Sequence, residues 1–576
     1  LKTSSGKQYI AYDTETTGLR PYDGDRMFCY STCTTEGLKS ARRIDGPKTR
    51  RLLNTRKLKN LWLDENTAKI FHNAKFDLTF TERFLGRRMK GEIHDTLAMS
   101  RILQNLAHSH ALKHICWVLC GYTREDEVAV KGHGVDYSKV PQDEMDEYAA
   151  NDAERTMLLF LLWWKEIQKD KGAFDAYNTE IALIRPTMAM EKRGVRLNPE
   201  ATEKMLEQLA QDCKRLEHLL WAYAGGRFDV DSHPQLARIL FDNLHLPVLQ
   251  RTPTGKPSTG KPVLLQLRGK HKIINTLLKY RSYSKAIPII RGYLDFAGED
   301  NIIHPNILLT GADTGRQACT TPNLMNVSKE QVLLNPYPVA ARRLFTPREG
   351  YENYHFDYAG EELRLLVHYH KDEEFRRILL ANGDAHYEAA VVFYGKTKAA
   401  KKRYRDAAKN ANFALGYGAG ARKVAQVLGL GEGEMRMRLK DYDARFPRAR
   451  TMAKRLTAQV RSQGSVTTEF GRKIKVNPNK PYVGVNYLIQ GTGADIIKRA
   501  QVRIHSYLEK VGADARLIFP IHDELVIEIP KVLKDKKGIL RGIRDLMEDF
   551  PQFSVPLKVE CKISQERWSE KEEVKI

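Results

Sequence analysis

An apolar run, Tyr9-Ile10-Ala11-Tyr12, leads into Asp13-Thr14-Glu15. The two-residue period of a strand puts both carboxylates on one face, where they can share a cation. Taken alone, such a pair is more often a merely solvated strand end, but more acids follow. Asn73-Ala74-Lys75-Phe76-Asp77 comes directly after a strand-like stretch, Lys69 to His72. Phe76, Phe80 and Phe84 recur at every fourth position, which predicts Asp77 in the first turn of an amphipathic helix. Tyr148 and Asp152 are again four apart, so one helix face carries a phenol and a carboxylate. Asp13, Glu15, Asp77 and Asp152 supply the hard oxygen ligands that two divalent ions require, and with Tyr148 they suit phosphodiester hydrolysis.

A second set lies downstream. Tyr354-His355-Phe356-Asp357-Tyr358 reads as a strand ending in an acid, and Glu361-Glu362-Leu363-Arg364-Leu365-Leu366 as the opening of a helix. Leu517 to Ile529 reads as two apolar strands meeting at the polar tip His522-Asp523-Glu524. Adjacent strand residues face opposite ways, so Asp523 and Glu524 have different jobs. Between these segments Arg405, Lys409, Phe413 and Tyr417 recur every four residues as a stripe of cations followed by rings. Such a stripe can grip a triphosphate and meet a base or sugar. A basic solvated turn joined to a core-facing aromatic stripe is the plainer alternative.

The elements that position these groups belong to a large chain. At roughly 150 residues per domain, 576 residues imply three to four domains. Residues from Lys7 to about Asp175 alternate short β-rich runs with helical stretches, as a mixed α/β layer does. From Glu180 to about Gly292 the pattern is helical, interrupted by the basic, Gly- and Pro-rich segment Arg251 to Pro262, an exposed loop suited to a phosphate backbone. The remainder mixes strands with long helices. No repeat or low-complexity tract is present, and Gly429-Leu430-Gly431-Glu432-Gly433 is predicted as a helix–helix turn. Ninety-four Lys and Arg against seventy-one Asp and Glu leave a net charge of +23, a field that draws polyanions and makes nucleic acid the leading partner. The longest apolar run, Met157 to Trp164, is far shorter than the ~18 residues of a membrane span. Seven scattered cysteines argue against a disulfide framework and for a reducing, cytoplasmic compartment. Cys29 with Cys33 reads as part of a strand and Cys116 with Cys120 as a buried helical turn, in preference to zinc knuckles. The absence of an initiator Met suggests a trimmed piece.

The first set, Asp13-Thr14-Glu15, Asn73 to Asp77 and Tyr148-x-x-x-Asp152, resembles the tyrosine-containing DEDD-type 3′-to-5′ exonucleases. The second resembles the polymerase motifs of family A DNA polymerases, with a glycine nearer the phage replicase pattern. That likeness extends through Thr314-Gly315-Arg316, Pro322-Asn323-Leu324-x-Asn326, Arg342, Phe345, Asp384-x-His386, Gly471-Arg472 and Asn486 to Asp495. The resemblance implies an RNase H-like α/β exonuclease domain over 1–185, then a right-hand polymerase domain over 186–576. The latter would comprise a mainly helical thumb (about 196–292), an α+β palm (about 293–372 and 476–576) and mainly helical fingers (about 373–475).

By the same resemblance, Asp13, Glu15, Asp77 and Asp152 hold the exonuclease metals and Tyr148 orients the attacking water. Asp357 and Asp523 hold the polymerase metals, with Glu524 beside them in the catalytic set. The ions would be Mg2+, a pair at each site, with Mn2+ as an alternative. Lys409, Arg405 and His386 would contact the triphosphate of a dNTP, with Lys409 protonating the pyrophosphate. Phe413 and Tyr417 would meet its sugar and base. Glu362 would exclude a ribose 2′-hydroxyl, and Phe413, in place of tyrosine, would discriminate against dideoxynucleotides. Arg316, Asn486, Gln490 and His522 would monitor primer–template DNA. The family's Asp-Tyr-Ser-Gln-Ile-Glu-Leu-Arg reads here Asp357-Tyr358-Ala359-Gly360-Glu361-Glu362-Leu363-Arg364, without the usual Ser and Gln, and Ala414 replaces a glycine. Expected partners are primer–template DNA, dNTPs, a single-stranded 3′ end, and processivity or replisome proteins, with no membrane. No length remains for a 5′-nuclease, and no large thumb insertion is evident. The alternatives are a nucleic-acid-binding exonuclease without polymerase activity, a single-subunit RNA polymerase, and a non-catalytic DNA binder.

Overall fold

The computed structural model describes residues 8–123, 125, 137–328 and 337–576. Strands β1 (Gln8–Thr16), β2 (Met27–Thr34), β3 (Lys39–Arg43), β4 (Thr67–Phe71) and β5 (Ile93–Asp95) form one sheet in the order β3-β2-β1-β4-β5. β1 runs antiparallel to β2 and parallel to β4. Every residue of β4 is buried, as in a strand whose two faces are both covered by helices. The strand period sorts the cores. Tyr12 joins Trp62 and Phe71 on one side of the sheet. Ala11 joins Ala153, Met157 and Phe160, which come from the long helix Gln142–Lys169, on the other. Asp13 and Glu15 continue the face that Ala11 begins, so they lie under the helix that carries Tyr148 and Asp152.

The helix Lys171–Arg193 leads out of this layer without a break, and the expected boundary at 185/186 falls inside it. Helices Pro199–Ala224 and Lys272–Phe296 follow and pack on each other. Their far end has its own small core, with Leu220, Leu236, Leu240, Ile274 and Leu277 fully buried. The basic segment Arg251 to Pro262 lies in this region, mostly exposed.

A second, antiparallel sheet has the order Arg516–Ile521, Glu524–Pro530, Tyr351–Tyr358, Val559–Ser564, Glu572–Glu573. Tyr351–Tyr358 is therefore central, paired on both edges, which fixes where Asp357 emerges. Between its two halves in sequence lies a run of helices from Glu373 to Gln463, gathered around Phe375, Phe393, Leu415, Tyr442 and Phe446. Gly429 to Gly433 joins two of them, as expected.

Two local expectations differ. Phe80 is 2% exposed but Phe84 is 41% exposed, so the buried aromatic stripe ends a turn early, before the last turn of the helix Ala74–Leu85. Cys29 and Cys33 lie in β2 and Cys116 and Cys120 on the helix Leu112–Cys120, as expected, but the turn between the latter pair is not buried, since Trp117, Val118 and Leu119 are about half exposed; all seven cysteines are free thiols.

Candidate active sites

The first site forms where β1 meets the helix Gln142–Lys169. Ligand oxygens of Asp13, Glu15 and Asp152 all lie within 4.8 Å of one another. Asp77 sits beside this group, its Oδ1 accepting from the Thr14 backbone N–H at 3.0 Å and from Thr14 Oγ1 at 2.7 Å. Its helix is held in place by a residue the sequence reading missed. Asp95, at the end of β5, accepts from the backbone N–H groups of Asn73 (2.9 Å) and Ala74 (3.0 Å), tying down a left-handed Asn73 (φ 79°).

Burial and crowding set the electrostatics here. Asp13 is driven well above the ordinary carboxylate range by burial, then by Asp77 and Glu15. Glu15 is pushed up to about 8 by burial and Asp152. Asp77 reaches about 8 through burial, against the pull of its hydrogen bonds from Thr14. Such a concentration of like charge fits a divalent cation, which relieves both the repulsion and the desolvation. Tyr148 is buried beside the acids, its ring edge-on to Tyr137. Two further cations, also missed, reach the same spot. Arg155 donates to Asp152 Oδ1 at 2.9 Å, and Lys113 Nζ lies 2.8 Å from Asp152 Oδ2.

The second site is built at the ends of the central strands of the antiparallel sheet. Asp357 pairs in register with Glu524. Ile521 pairs with Glu524 across the two-residue turn His522-Asp523. His522 takes φ 59°, a left-handed conformation that strains a branched-free but bulky side chain by about 1–2 kcal/mol. The Tyr358 backbone N–H donates to the Asp523 carbonyl at 3.3 Å, which sets the hairpin tip beside Asp357. Gly360, at φ 64°, then turns the chain sharply into the helix Glu361–His370.

A cavity of about 210 Å³ opens here, lined among others by Arg316, Glu361, Glu362, His522 and Asp523. Glu362 accepts a hydrogen bond from Tyr417, at the C-terminal end of the helix Lys402–Gly416. That helix also carries Arg405, which pairs with Asp384, and Lys409, whose exposed side chain makes no hydrogen bond or ion pair among the described residues. His386 is buried against Phe413 (ring centroids 5.6 Å) and contacts Asn412 at 3.2 Å, and burial lowers it to about 4. Gln490 donates to Asn486 at 2.9 Å, one turn away on the helix Gly484–Val511.

Glu524, expected beside the catalytic carboxylates, already has two partners. Its Oε1 accepts from His355 at 2.7 Å and from Lys571 at 2.6 Å, and these partners hold the carboxyl well below its usual range despite burial. As the cross-strand partner of Asp357 it lies on that residue's face of the sheet, where His355 and Lys571 anchor it. Glu361 is the reverse case. It is buried, its Oε1 has no hydrogen-bond partner, and burial with Asp523 nearby raises it to about 8. Its neighbour Glu362 drew the notice in the sequence, because the resemblance assigned that residue a role.

The α/β layer with its acid cluster, joined to an antiparallel sheet bearing paired carboxylates and flanked by helical subdomains, defines an RNase H-like exonuclease domain followed by a right-hand polymerase domain. Residues 199–570 match the profile for DNA polymerase family A and residues 1–168 that for a 3′-5′ exonuclease. The chain belongs to DNA polymerase family A. It is 29% identical over 598 residues to DNA polymerase I of Pseudomonas aeruginosa, covering 99% of this chain and 64% of that protein. It is 32% identical over 443 residues to the thermostable DNA polymerase I of Thermus filiformis, covering 74% of this chain and 52% of the relative. The chain thus spans about half to two thirds of the length of these relatives. The fold matches the POL domain of Pol1 from M. smegmatis, solved with DNA primer–template and dNTP, at a TM-score of 0.84 and 21% identity over 98% of this chain and 96% of that one. Among the described residues no helix is long and apolar enough to cross a membrane.

Proposed function

We propose that this chain is a DNA-templated DNA polymerase that adds dNTPs to a primer 3′ end and removes mispaired nucleotides at a separate 3′-to-5′ exonuclease site. The observation that supports it most directly is the meeting of Asp357 and the Asp523 hairpin beside a cavity bounded by Glu362 and Arg316.

In this reading Asp357 and Asp523 hold divalent ions, Mg2+ in the first instance, and Asp13, Glu15, Asp77 and Asp152 hold a second set. Bound ions supply Lewis-acid neutralisation of the phosphates and lower the pKa of the attacking hydroxyl or water. The residues of the chain do the remainder. Lys409, exposed on its helix, binds the triphosphate and gives a proton to the departing pyrophosphate. Arg405 and His386 bind the same phosphates, the neutral imidazole as a hydrogen-bond partner. Phe413 and Tyr417 stack against the nucleoside. Glu362, held by Tyr417, fills the space a 2′-hydroxyl needs. Arg316, Asn486, Gln490 and His522 touch the primer–template minor groove, where acceptor positions common to all base pairs report pairing geometry and not sequence. Tyr148 orients water at the exonuclease site. The partners are primer–template DNA, a single-stranded 3′ end and replisome proteins, in the cytoplasm.

A labelled primer–template incubated with Mg2+ and dNTPs, with NTPs, or without nucleotides tests this reading. Extension should occur only with dNTPs and vanish in Asp523→Ala. Nucleotide-free shortening should persist in that variant and vanish in Asp13→Ala. Shortening with no extension under any condition would overturn the polymerase assignment.

A further inference from the structure

The acid cluster of the exonuclease domain is touched by a cation that belongs to none of the motif segments. Lys113 lies in the first turn of the helix Leu112–Cys120, with its side chain only 12% exposed. Its Nζ is 2.8 Å from Asp152 Oδ2 and 3.5 Å from the centre of the Tyr148 ring. A single ammonium thus bridges two side chains on one helix face, a carboxylate and a phenol. Its field also reaches β1, where it opposes the upward shift of Asp13 and of Glu15. Arg155, 4% exposed, fills the other oxygen of Asp152 at 2.9 Å. The other groups facing Lys113 are therefore Asp13, Glu15, Asp152 and Tyr148.

A surface ion pair does not look like this. The ammonium has left water, its face-on position over the ring is one that stabilises a desolvated cation, and both of its contacts are groups expected to handle metal and water. We propose that Lys113 is a positioning residue of the 3′-to-5′ exonuclease: it clamps the Tyr148 ring and Asp152 in one arrangement relative to the acids of β1. This rests on the exonuclease reading above. Two consequences follow from the geometry. Without the clamp the phenol and carboxylate lose their alignment, so turnover falls. The ammonium also occupies Asp152 Oδ2, so its removal frees a ligand oxygen and strips a positive charge from the cation site, and metal binding tightens. A lysine that merely braced the fold would not move rate and metal affinity in opposite senses.

The test compares Lys113→Met and Lys113→Arg in the full chain. Single-turnover shortening of a labelled single-stranded oligonucleotide is followed at saturating Mn2+, with primer extension by the same preparations as the control for folding. Mn2+ binding is measured separately by electron paramagnetic resonance in an Asp357→Ala/Asp523→Ala background, which removes both polymerase metal carboxylates. Lys113→Met should slow shortening about 10- to 100-fold, the range for partners that orient metal ligands, while extending primers normally and binding Mn2+ more tightly. Lys113→Arg should recover part of the rate. In Lys113→Met, shortening at the wild-type rate, or slower shortening with weaker Mn2+ binding, overturns the proposal. If Lys113→Met also fails to extend, Lys113→Arg decides: slowed shortening with normal extension and Mn2+ binding no weaker than wild type supports the clamp, and wild-type shortening, or slow shortening with weaker Mn2+ binding, overturns it. Failure of the underlying reading looks different, since the wild type would then not shorten DNA, or Asp13→Ala would shorten it equally well.

Discussion

Replacing Glu180 with Gln should loosen the junction between the two domains by about 3–5 kcal/mol, the cost of removing one partner from a buried ion cluster. Glu180, 1% exposed on the helix Lys171–Arg193, accepts from Lys498 at 2.6 Å and from Arg472 at 2.8 Å. Arg472 also donates to Asp495 Oδ1 at 2.6 Å, and Asp495 Oδ2 accepts from Thr468 at 2.8 Å. The cluster is electrically balanced, with Lys498 0% and Arg472 4% exposed. Gln keeps the shape but leaves one buried positive charge in excess. Burial already lowers Lys498 to about 8 with Glu180 present, and the variant should depress it further. Below both folded values Lys498 is charged in variant and wild type alike and the full deficit applies. Above about pH 8 it is neutral in both, so the deficit should be larger at pH 6 than at pH 9. With a urea m-value of about 3 kcal/mol/M, the midpoint should fall by about 1–2 M. Adding Lys498→Met should restore most of the loss, because it removes the surplus charge. A midpoint shift typical of a surface pair, below about 0.3 M, or no recovery in the double variant, would refute the reasoning.

Other outcomes follow from the same geometry. A Cβ on Gly172 would lie 2.0 Å from the Gly471 carbonyl oxygen, so Gly172→Ala should destabilise the same junction by about 1–3 kcal/mol, and an unchanged urea midpoint would rule that contact out. Glu362→Ala should admit ribonucleotides about 10- to 200-fold better relative to dNTPs in competitive single-nucleotide incorporation, the range for one steric contact, and undiminished selection would move the sugar gate elsewhere. In EDTA, Glu15 binds its proton in the folded chain up to about pH 8 but in the unfolded chain only to about 4.5. The metal-free protein should therefore lose stability as pH rises from about 5 to 8, and Asp13→Asn should blunt that loss. Scanning fluorimetry would expose the error as a flat profile. With a net charge of +23, primer–template affinity should fall about 10³- to 10⁵-fold between 50 and 200 mM salt if 6–10 phosphates are contacted, as filter binding would show.

Periodicity carried much of this molecule. Asp13 with Glu15, Tyr148 with Asp152, and the Arg405–Tyr417 stripe are short-range patterns, and a strand or helix of known repeat places each of them on a face before any tertiary contact forms. The strand at Tyr354 to Asp357 and the hairpin around His522-Asp523 were legible for the same reason. What lay beyond the sequence was how the faces meet. Glu180 and Lys498 are 318 residues apart, and no local rule links them. Lys113 reads as one of many basic helix residues until the fold lays its ammonium on Asp152 and Tyr148. Nothing local to Glu524 shows that His355, from the neighbouring strand, and Lys571, from the C-terminal segment, share its carboxylate. Residue type and spacing determined which groups could act together within an element. The tertiary structure decided which charges are shared between elements, because burial and the identity of a distant partner set whether a carboxylate binds a cation, anchors a strand or stays protonated.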